Sequence, residues 1–432
     1  MDDTADGSRS ALLKTLGPGL VWAATAIGVS HLVQSTRAGA LFGSGRALWL
    51  IVAVVLLANL LKYPFFEFGP RYAAATGESL LEGYSRLGRW AVWIYVLVTV
   101  GTMFTVQAAV TLVTASLAIQ LFGGALSILG YSALLLAVCA ALLIAGRYPL
   151  LDKMVKVIVV LLAVSTLAAL VSALVAGSPA SPAAGEPTVP LKLGGAAAFA
   201  FVIALVGWMP SAIDISVWHS LWTLERSRQT AHRPRLAHVL FDFNLGYFGT
   251  ALLALVFVAL GALVIHGSGR ELPPQAGAFA AGLITLYTET LGPWSRPLIA
   301  VAAFTTMFST TLAVTDGFPR VLQRATGLLA PRVSERALGT LYWVWMLVIV
   351  GGSLLVIGSF LNRLTRMVDL ATTLSFLTAP VLSWFNLRVI TGPEMPADAV
   401  PPRWLLVLSW LGLVLGAAFA AVYLIWRWTP LL

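Results

Sequence analysis

The sequence predicts an all-α integral membrane protein with eleven transmembrane helices. Hydrophobic residues make up 59% of the 432-residue chain and charged residues only 10%, whereas soluble proteins carry about 25% charged residues. The apolar residues form long runs along the whole chain, such as 47–61 and 132–145. Because lipid offers no hydrogen-bond partners to the backbone and these runs are continuous rather than alternating, each crossing is predicted to be a helix.

The order of apolar runs predicts the spans, and the basic residues predict their orientation. The eleven predicted spans are 17–41, 47–72, 90–120, 125–146, 153–176, 194–224, 239–266, 279–314, 338–360, 366–390 and 404–427. Eighteen of the 27 Lys and Arg residues fall in the N-terminal segment and in alternate loops after it. This bias predicts a cytoplasmic N-terminus in a cell membrane, expected to be a bacterial inner membrane. Since topology explains the net charge of +9, the lipid bilayer is the expected partner and nucleic acid is not.

The chain divides around a Pro-, Ala- and Ser-rich segment between spans five and six. This segment is predicted to be a solvated extracellular connector and the midpoint of an internal repeat. The predicted parts are a cytoplasmic segment 1–16, a first repeat 17–176, the connector 177–193, a second repeat 194–390, and a last helix with the C-terminus 391–432.

Spans one and six share an unusual interruption. Span one opens with Gly-Pro-Gly at 17–19 and is interrupted at 28–31, and span six opens with Gly-Gly at 194–195 and is interrupted at 207–211. Glycine permits backbone angles that helices do not use, and proline frees an upstream carbonyl. Two interrupted spans at matching positions indicate a transporter site near the middle of the membrane. The alternative is a pair of kinks that serve packing.

Polar side chains follow each interruption at helical spacing. His31, Gln34 and Ser35 follow the first, at i, i+3 and i+4. Asp214 follows the second, and an ionisable group inside a membrane span is costly enough to indicate function. The predicted substrate-binding residues are Gly28, His31, Gln34, Ser35, Trp208, Met209, Ser211, Asp214 and Trp218.

Several of these motifs resemble the NRAMP metal transporters. The resemblance rests on Gly-Pro-Gly at 17–19 through Gly-Ala-Leu-Phe-Gly at 39–43, on Leu-Leu-Ala-Asn-Leu at 56–60, on Met-Pro at 209–210 and on His-Ser at 219–220. It implies the LeuT-type fold, with two inverted five-helix repeats, broken helices one and six, and alternating access. It also implies a secondary transporter.

The sequence departs from that family where the metal binds. NRAMP metal transporters carry Asp-Pro-Gly-Asn at the first break, and the aspartate position is Gly28 here while the asparagine position is His31. The family's next acidic position falls on Ser35, and the histidine after the proline is Ser211. Met209 alone is kept. Because a desolvated divalent ion needs several carboxylate or imidazole ligands, no metal site and no cofactor are predicted.

Two cargoes remain open at this stage. The breaks are rich in tryptophan and in uncharged hydrogen-bonding groups, which suits a polar organic solute, with a sugar such as glucose as the best guess. The stretches 207–211 and 214–218 resemble a sugar-transporting NRAMP-related branch. The alternative is a divalent metal ion, Mg²⁺ or Mn²⁺, at a site rebuilt from His31, Asp214 and His219. Magnesium can be carried partly hydrated and needs fewer protein ligands.

Other functions receive less support. The sequence has no His-Glu-x-x-His, no Gly-x-Ser-x-Gly and no paired carboxylates at a helix break, so an enzyme is not predicted. No residue pattern distinguishes a proton-coupled transporter from a uniporter. Lys62, Glu67 and Arg71 on span two are interpreted as salt bridges near the end of the span. Asp369 and Thr372 on span ten are interpreted as residues that border the site.

Overall fold

A computed structural model describes residues 15–145, 148–176, 195–231, 234–266, 273, 275–360 and 363–428. Over these ranges the regular elements are α-helices and two π-helical segments, Ser30–Ser35 and Gly261–Ile265. The α-helices are α1 Pro18–Ala26, α2 Thr36–Phe42, α3 Gly45–Thr76, α4 Leu80–Leu87, α5 Arg89–Phe122, α6 Ile128–Ile144, α7 Tyr148–Ala176, α8 Ala196–Gly207, α9 Ile215–Thr230, α10 Leu236–Leu260, α11 Ala276–Leu291, α12 Ser295–Leu329, α13 Glu335–Phe360, α14 Leu364–Ile390 and α15 Arg403–Trp428.

Seven helices in the described ranges are long and apolar enough to cross a membrane. They are α3, α5, α10 with its π-helical extension, α12, α13, α14 and α15. Their outward side chains are large and apolar: Trp49, Leu347 and Leu355 are each more than 70% exposed. Such a surface is stable in hydrocarbon and not in water. The chain is therefore a multi-pass membrane protein.

The predicted span 279–314 is wrong as a single helix. It is divided between α11 and α12, because Gly292 ends α11 with a φ of 94° and Pro293 follows it directly. A positive φ of this size is available mainly to glycine. The predicted loop after span two also contains the short helix α4, which a capping box of Ser79 and Glu82 begins.

Two other predictions are not tested by this structure. Residues 1–14 and the predicted connector 177–193 lie outside the described residues. The division of the chain into two inverted repeats remains a prediction.

Both predicted helix breaks are confirmed. α1 ends at Ala26, and the backbone of Ile27 and Gly28 is irregular before the π-helical segment begins at Ser30. α8 ends at Gly207, residues 208–214 have no regular structure, and α9 begins at Ile215. The Met209–Pro210 peptide bond in this stretch is cis.

Glycines and a capping carboxylate fix the two broken segments in place. On α1, Gly19 lies directly against the backbone of Asp242 on α10. The carboxylate of Asp242 accepts hydrogen bonds from the amides of Gly17, at 3.2 Å, and Gly19, at 2.6 Å, so it satisfies unpaired donors at the start of α1. On α8, Gly207 lies directly against the backbone of Thr372 on α14. Small residues of this kind allow membrane helices to approach closely.

Candidate functional site

A small buried cavity lies where the two helix breaks meet. The junction cavity, as we call it, has a volume of about 30 Å³, which is room for about two water molecules. The first break, the second break, α5 and α12 all contribute to its wall. Its polar or aromatic lining from the two breaks consists of Thr25, Ser30, Trp208, Ser211, Asp214 and Trp218.

Asp214 supplies the carboxylate of the junction cavity. It is 8% exposed and stands immediately before the first residue of α9. The positive end of a helix dipole stabilises a negative charge at that position. Its Oδ1 atom is buried and has no hydrogen-bond partner among the described residues. A buried acceptor without a partner costs about 1–3 kcal/mol, so this oxygen is suited to a donor that arrives with the cargo.

Two tryptophans form the aromatic part of the wall. Trp208 is the first residue of the second break, and its Nε1 donates a 2.7 Å hydrogen bond to Ser375 Oγ on α14. Trp218 lies one turn into α9, and its ring packs edge-on against Phe318 with centroids 4.8 Å apart. Each indole is therefore held by a neighbouring helix, and both rings line the cavity.

Lys62 on α3 reaches the second break from the opposite side. Its Nζ donates hydrogen bonds to the carbonyls of Val206, at 2.6 Å, Gly207, at 2.9 Å, and Ser211, at 3.3 Å. The side chain also interacts electrostatically with the carboxylate of Asp214. The predicted salt bridge between Glu67 and Arg71 is confirmed, with a 2.6 Å hydrogen bond from Nε. Lys62 takes no part in that pair, so its interpretation as a span-end salt bridge is wrong.

The polar residues after the first break do not line the junction cavity. His31 is fully buried and its two ring nitrogens have other partners: Nε2 donates to the carbonyl of Thr250 at 2.9 Å, and Nδ1 lies 2.7 Å from Ser30 Oγ. The hydroxyl of Ser35 donates to the carbonyl of Ser30 at 3.1 Å. Met209 is buried in an apolar cluster that includes Phe42.

Gly28 and Gln34 each have a structural neighbour. A Cβ atom at Gly28 would lie 3.1 Å from the side chain of Thr310 on α12, so any larger residue requires Thr310 to shift. Gln34 joins a second polar group with Arg37 and Asp369. The guanidinium of Arg37 bonds both carboxylate oxygens of Asp369, at 2.7 and 3.2 Å. Asp369 therefore joins the first broken segment to α14 beside the site.

The described residues contain no group of three His, Cys, Asp or Glu side chains placed to hold a metal ion. His219 is stacked near Trp22, with ring centroids 6.4 Å apart, and does not meet His31 and Asp214 in one cluster. The rebuilt metal site that the sequence left open is thus not formed in the described part of the chain.

Two broken helices that meet at a buried polar cavity define a membrane transporter, and comparison with known proteins identifies the family. A family model for natural resistance-associated macrophage protein-like (Nramp) proteins matches residues 19–427. An uncharacterised protein of Pasteurella multocida is 35% identical over 411 residues, which cover 95% of this chain and 91% of that protein. The chain belongs to the Nramp family, whose members are transporters and not enzymes.

Solved structures show the same fold. A variant of the manganese transporter of Eremococcus coleocola superposes with a TM-score of 0.72 at 16% identity, over 95% of this chain and 86% of that one. MhsT, solved in complex with L-phenylalanine, superposes with a TM-score of 0.59 at 15% identity, over 94% of this chain and 97% of that one. The architecture is therefore that of the LeuT-like transporters, which include carriers of ions and of organic solutes.

Proposed function

We propose that this Nramp-family transporter binds its cargo in the junction cavity, against Asp214 and Trp208, and that the cargo is a polar organic solute. A sugar is the class that the lining suits best. The observation that carries this proposal is the donor set: one carboxylate, three hydroxyls and two indoles line the cavity from the two broken segments, and Gly28 contributes no side-chain ligand.

A divalent metal ion, Mg²⁺ or Mn²⁺, is the second candidate. Family membership favours it over a sugar, since Nramp homologues carry metal ions and the superposed Eremococcus coleocola protein is a manganese transporter. The unpartnered oxygen of Asp214 also favours a cation. The comparisons thus support the metal ion, and the chemistry of the cavity supports the organic solute.

The charges around the breaks support the organic solute. The ammonium of Lys62 and the carboxylate of Asp214 sum to zero formal charge. A cation held at the Asp214 carboxylate is also repelled by the ammonium of Lys62, which interacts with the same carboxylate and so offsets part of the attraction. The attraction that remains must offset the desolvation of the ion, which costs several kcal/mol even for a single charge and rises with the square of the charge. An uncharged solute avoids that cost.

The wall of the cavity suits a sugar in two respects. The apolar face of a sugar ring packs against an indole, and the hydroxyls bond to the Asp214 carboxylate and the Ser211 hydroxyl. The present volume of about 30 Å³ is too small for a hexose. A hexose therefore enters only in a conformation in which the helices around the junction have separated, as alternating access requires.

The test is uptake into liposomes that contain the purified full chain. Radiolabelled glucose and radioactive manganese are offered in parallel, with empty liposomes as the blank. The proposal predicts saturable glucose uptake that Asp214→Asn reduces at least tenfold, because the substituted amide loses the charge-assisted hydrogen bond to a hydroxyl. No manganese uptake above the blank is expected.

Matched surface variants control for general damage. Asp398→Asn changes an exposed aspartate and Trp49→Phe an exposed tryptophan, and both are expected to transport as the wild type does. If the wild type takes up manganese and not glucose, and Asp214→Asn abolishes that uptake, the second candidate is correct. If neither Asp214→Asn nor Trp208→Phe changes the uptake of the transported compound, the binding site lies elsewhere.

A further inference from the structure

We propose that the ammonium of Lys62 is a built-in cation of the second helix break, which occupies the carbonyl cluster that a free cation would otherwise fill. The proposal concerns the break itself and does not depend on the identity of the cargo. It predicts that this transporter keeps the break in place without a bound metal or sodium ion at these carbonyls.

The three carbonyls lack their usual helical partners. In a continuous helix the carbonyl of Val206 would accept from the amide of residue 210, which is a proline and has no N–H. It accepts instead a long bond of 3.3 Å from the amide of Met209. Gly207 is the last residue of α8, so its carbonyl is one of the unpaired groups at a helix end. Ser211 lies within the irregular stretch after it. Together they form a small concentration of negative potential at the C-terminus of α8.

The ammonium of Lys62 satisfies this cluster completely. An ammonium has three N–H donors, and Lys62 directs them to these three carbonyls at 2.6, 2.9 and 3.3 Å. The residue is 8% exposed, so the bonds form away from solvent, where a charged group is costly unless fully bonded. A free cation cannot occupy the same position, because the ammonium already fills it.

A neighbouring cavity gives experimental access to this ammonium. An apolar cavity of about 260 Å³ lies between α3, α8, α14 and α15, and both Lys62 and Val206 line it. A small alkylammonium ion can therefore reach the space that the side chain leaves when Lys62 is truncated. An n-propylammonium ion has the same atoms that Lys62→Ala removes beyond Cβ.

The experiment measures the melting temperature of the detergent-purified full chain in choline, sodium and n-propylammonium chloride. The wild type is expected to melt at one temperature in all three salts. Lys62→Ala is expected to melt at least about 4 °C lower in choline, because the carbonyls of Gly207 and Ser211 lose their donor and that of Val206 keeps only the long bond from Met209. Saturating n-propylammonium is expected to recover most of that loss, and 1-propanol, which has a similar shape but no charge, is not.

Two further variants separate charge from packing. Lys62→Met keeps the volume without the charge and is expected to melt as low as Lys62→Ala. Arg71→Ala removes a different cation of the same helix, one that bonds Glu67. n-Propylammonium is expected to leave the melting temperature of this variant unchanged.

Three results would each overturn the proposal. One is a Lys62→Met protein as stable as the wild type, and another is equal rescue of Lys62→Ala by 1-propanol. The third is a wild-type melting temperature that is higher in sodium chloride than in choline chloride. The last comparison needs no variant, so it remains decisive even if the variants do not fold.

Discussion

The ion pair between Arg37 and Asp369 is expected to hold the junction closed on one side. It joins the first broken segment to α14 through hydrogen bonds of 2.7 and 3.2 Å, and Gln34 bonds to both partners. The side chains are 14% and 35% exposed, so the bonds to charged groups are only partly screened by solvent. Asp369→Asn keeps one acceptor and removes the charge, which we expect to cost about 1.4 kcal/mol. That loss raises the open fraction about tenfold.

Thiol labelling measures this change. The single cysteine, Cys139, is buried and is first replaced by alanine. Ala212, which lines the junction cavity, is replaced by cysteine, and its reaction with a maleimide reports how often the cavity opens. The cysteine at position 212 should react with the maleimide about ten times faster when Asp369→Asn is also present. Glu78→Gln, which breaks an exposed ion pair elsewhere, should not change the rate, and equal rates for the two variants would refute the reasoning.

Two further predictions concern the neighbours of the second break. Trp208→Phe and Ser375→Ala each remove the same 2.7 Å hydrogen bond, so each should weaken cargo binding about fivefold while the double variant is no weaker, as isothermal titration would measure. Additive losses would exclude the bond as their common cause. Gly207→Ala directs a methyl group into the backbone of Thr372 and should lower the melting temperature by several degrees. Gly101→Ala, with open space around it, should not, and equal melting of the two would contradict close packing at Gly207.

The helix breaks could be predicted because glycine and proline encode them locally. Gly28 and Pro210 act on their own backbone, whatever the rest of the chain does. Asp214 and Trp208 line the cavity because they stand within or directly beside the second break. These placements need only the break and its immediate sequence.

The role of Lys62 could not be predicted because it depends on how α3 packs against α8. One signal was present: Lys62 has Ala58 and Phe66 at i−4 and i+4, so no charged neighbour on its own helix can pair with it. Glu67 and Arg71 do have that spacing, and they do pair. An isolated lysine in an apolar helix therefore indicated a partner from another element.

The local geometry around His31, Gln34 and Ser35 could not be predicted for a different reason. The spacing i, i+3, i+4 describes one face of an α-helix, but these residues lie in the π-helical segment Ser30–Ser35. A π-helix bonds i to i+5, so residues three positions apart, such as His31 and Gln34, are separated by a wider angle around the helix axis than in an α-helix. Nothing in the local sequence distinguishes such a segment from an α-helix.

The most direct test of the account is the anomalous X-ray signal of manganese in crystals of the wild-type chain soaked with Mn²⁺. If the neutral charge of Lys62 and Asp214 excludes a dehydrated divalent ion, no anomalous peak will lie in the junction cavity. A strong peak within coordination distance of the Asp214 carboxylate would show that metal ions bind there and would contradict the proposed cargo.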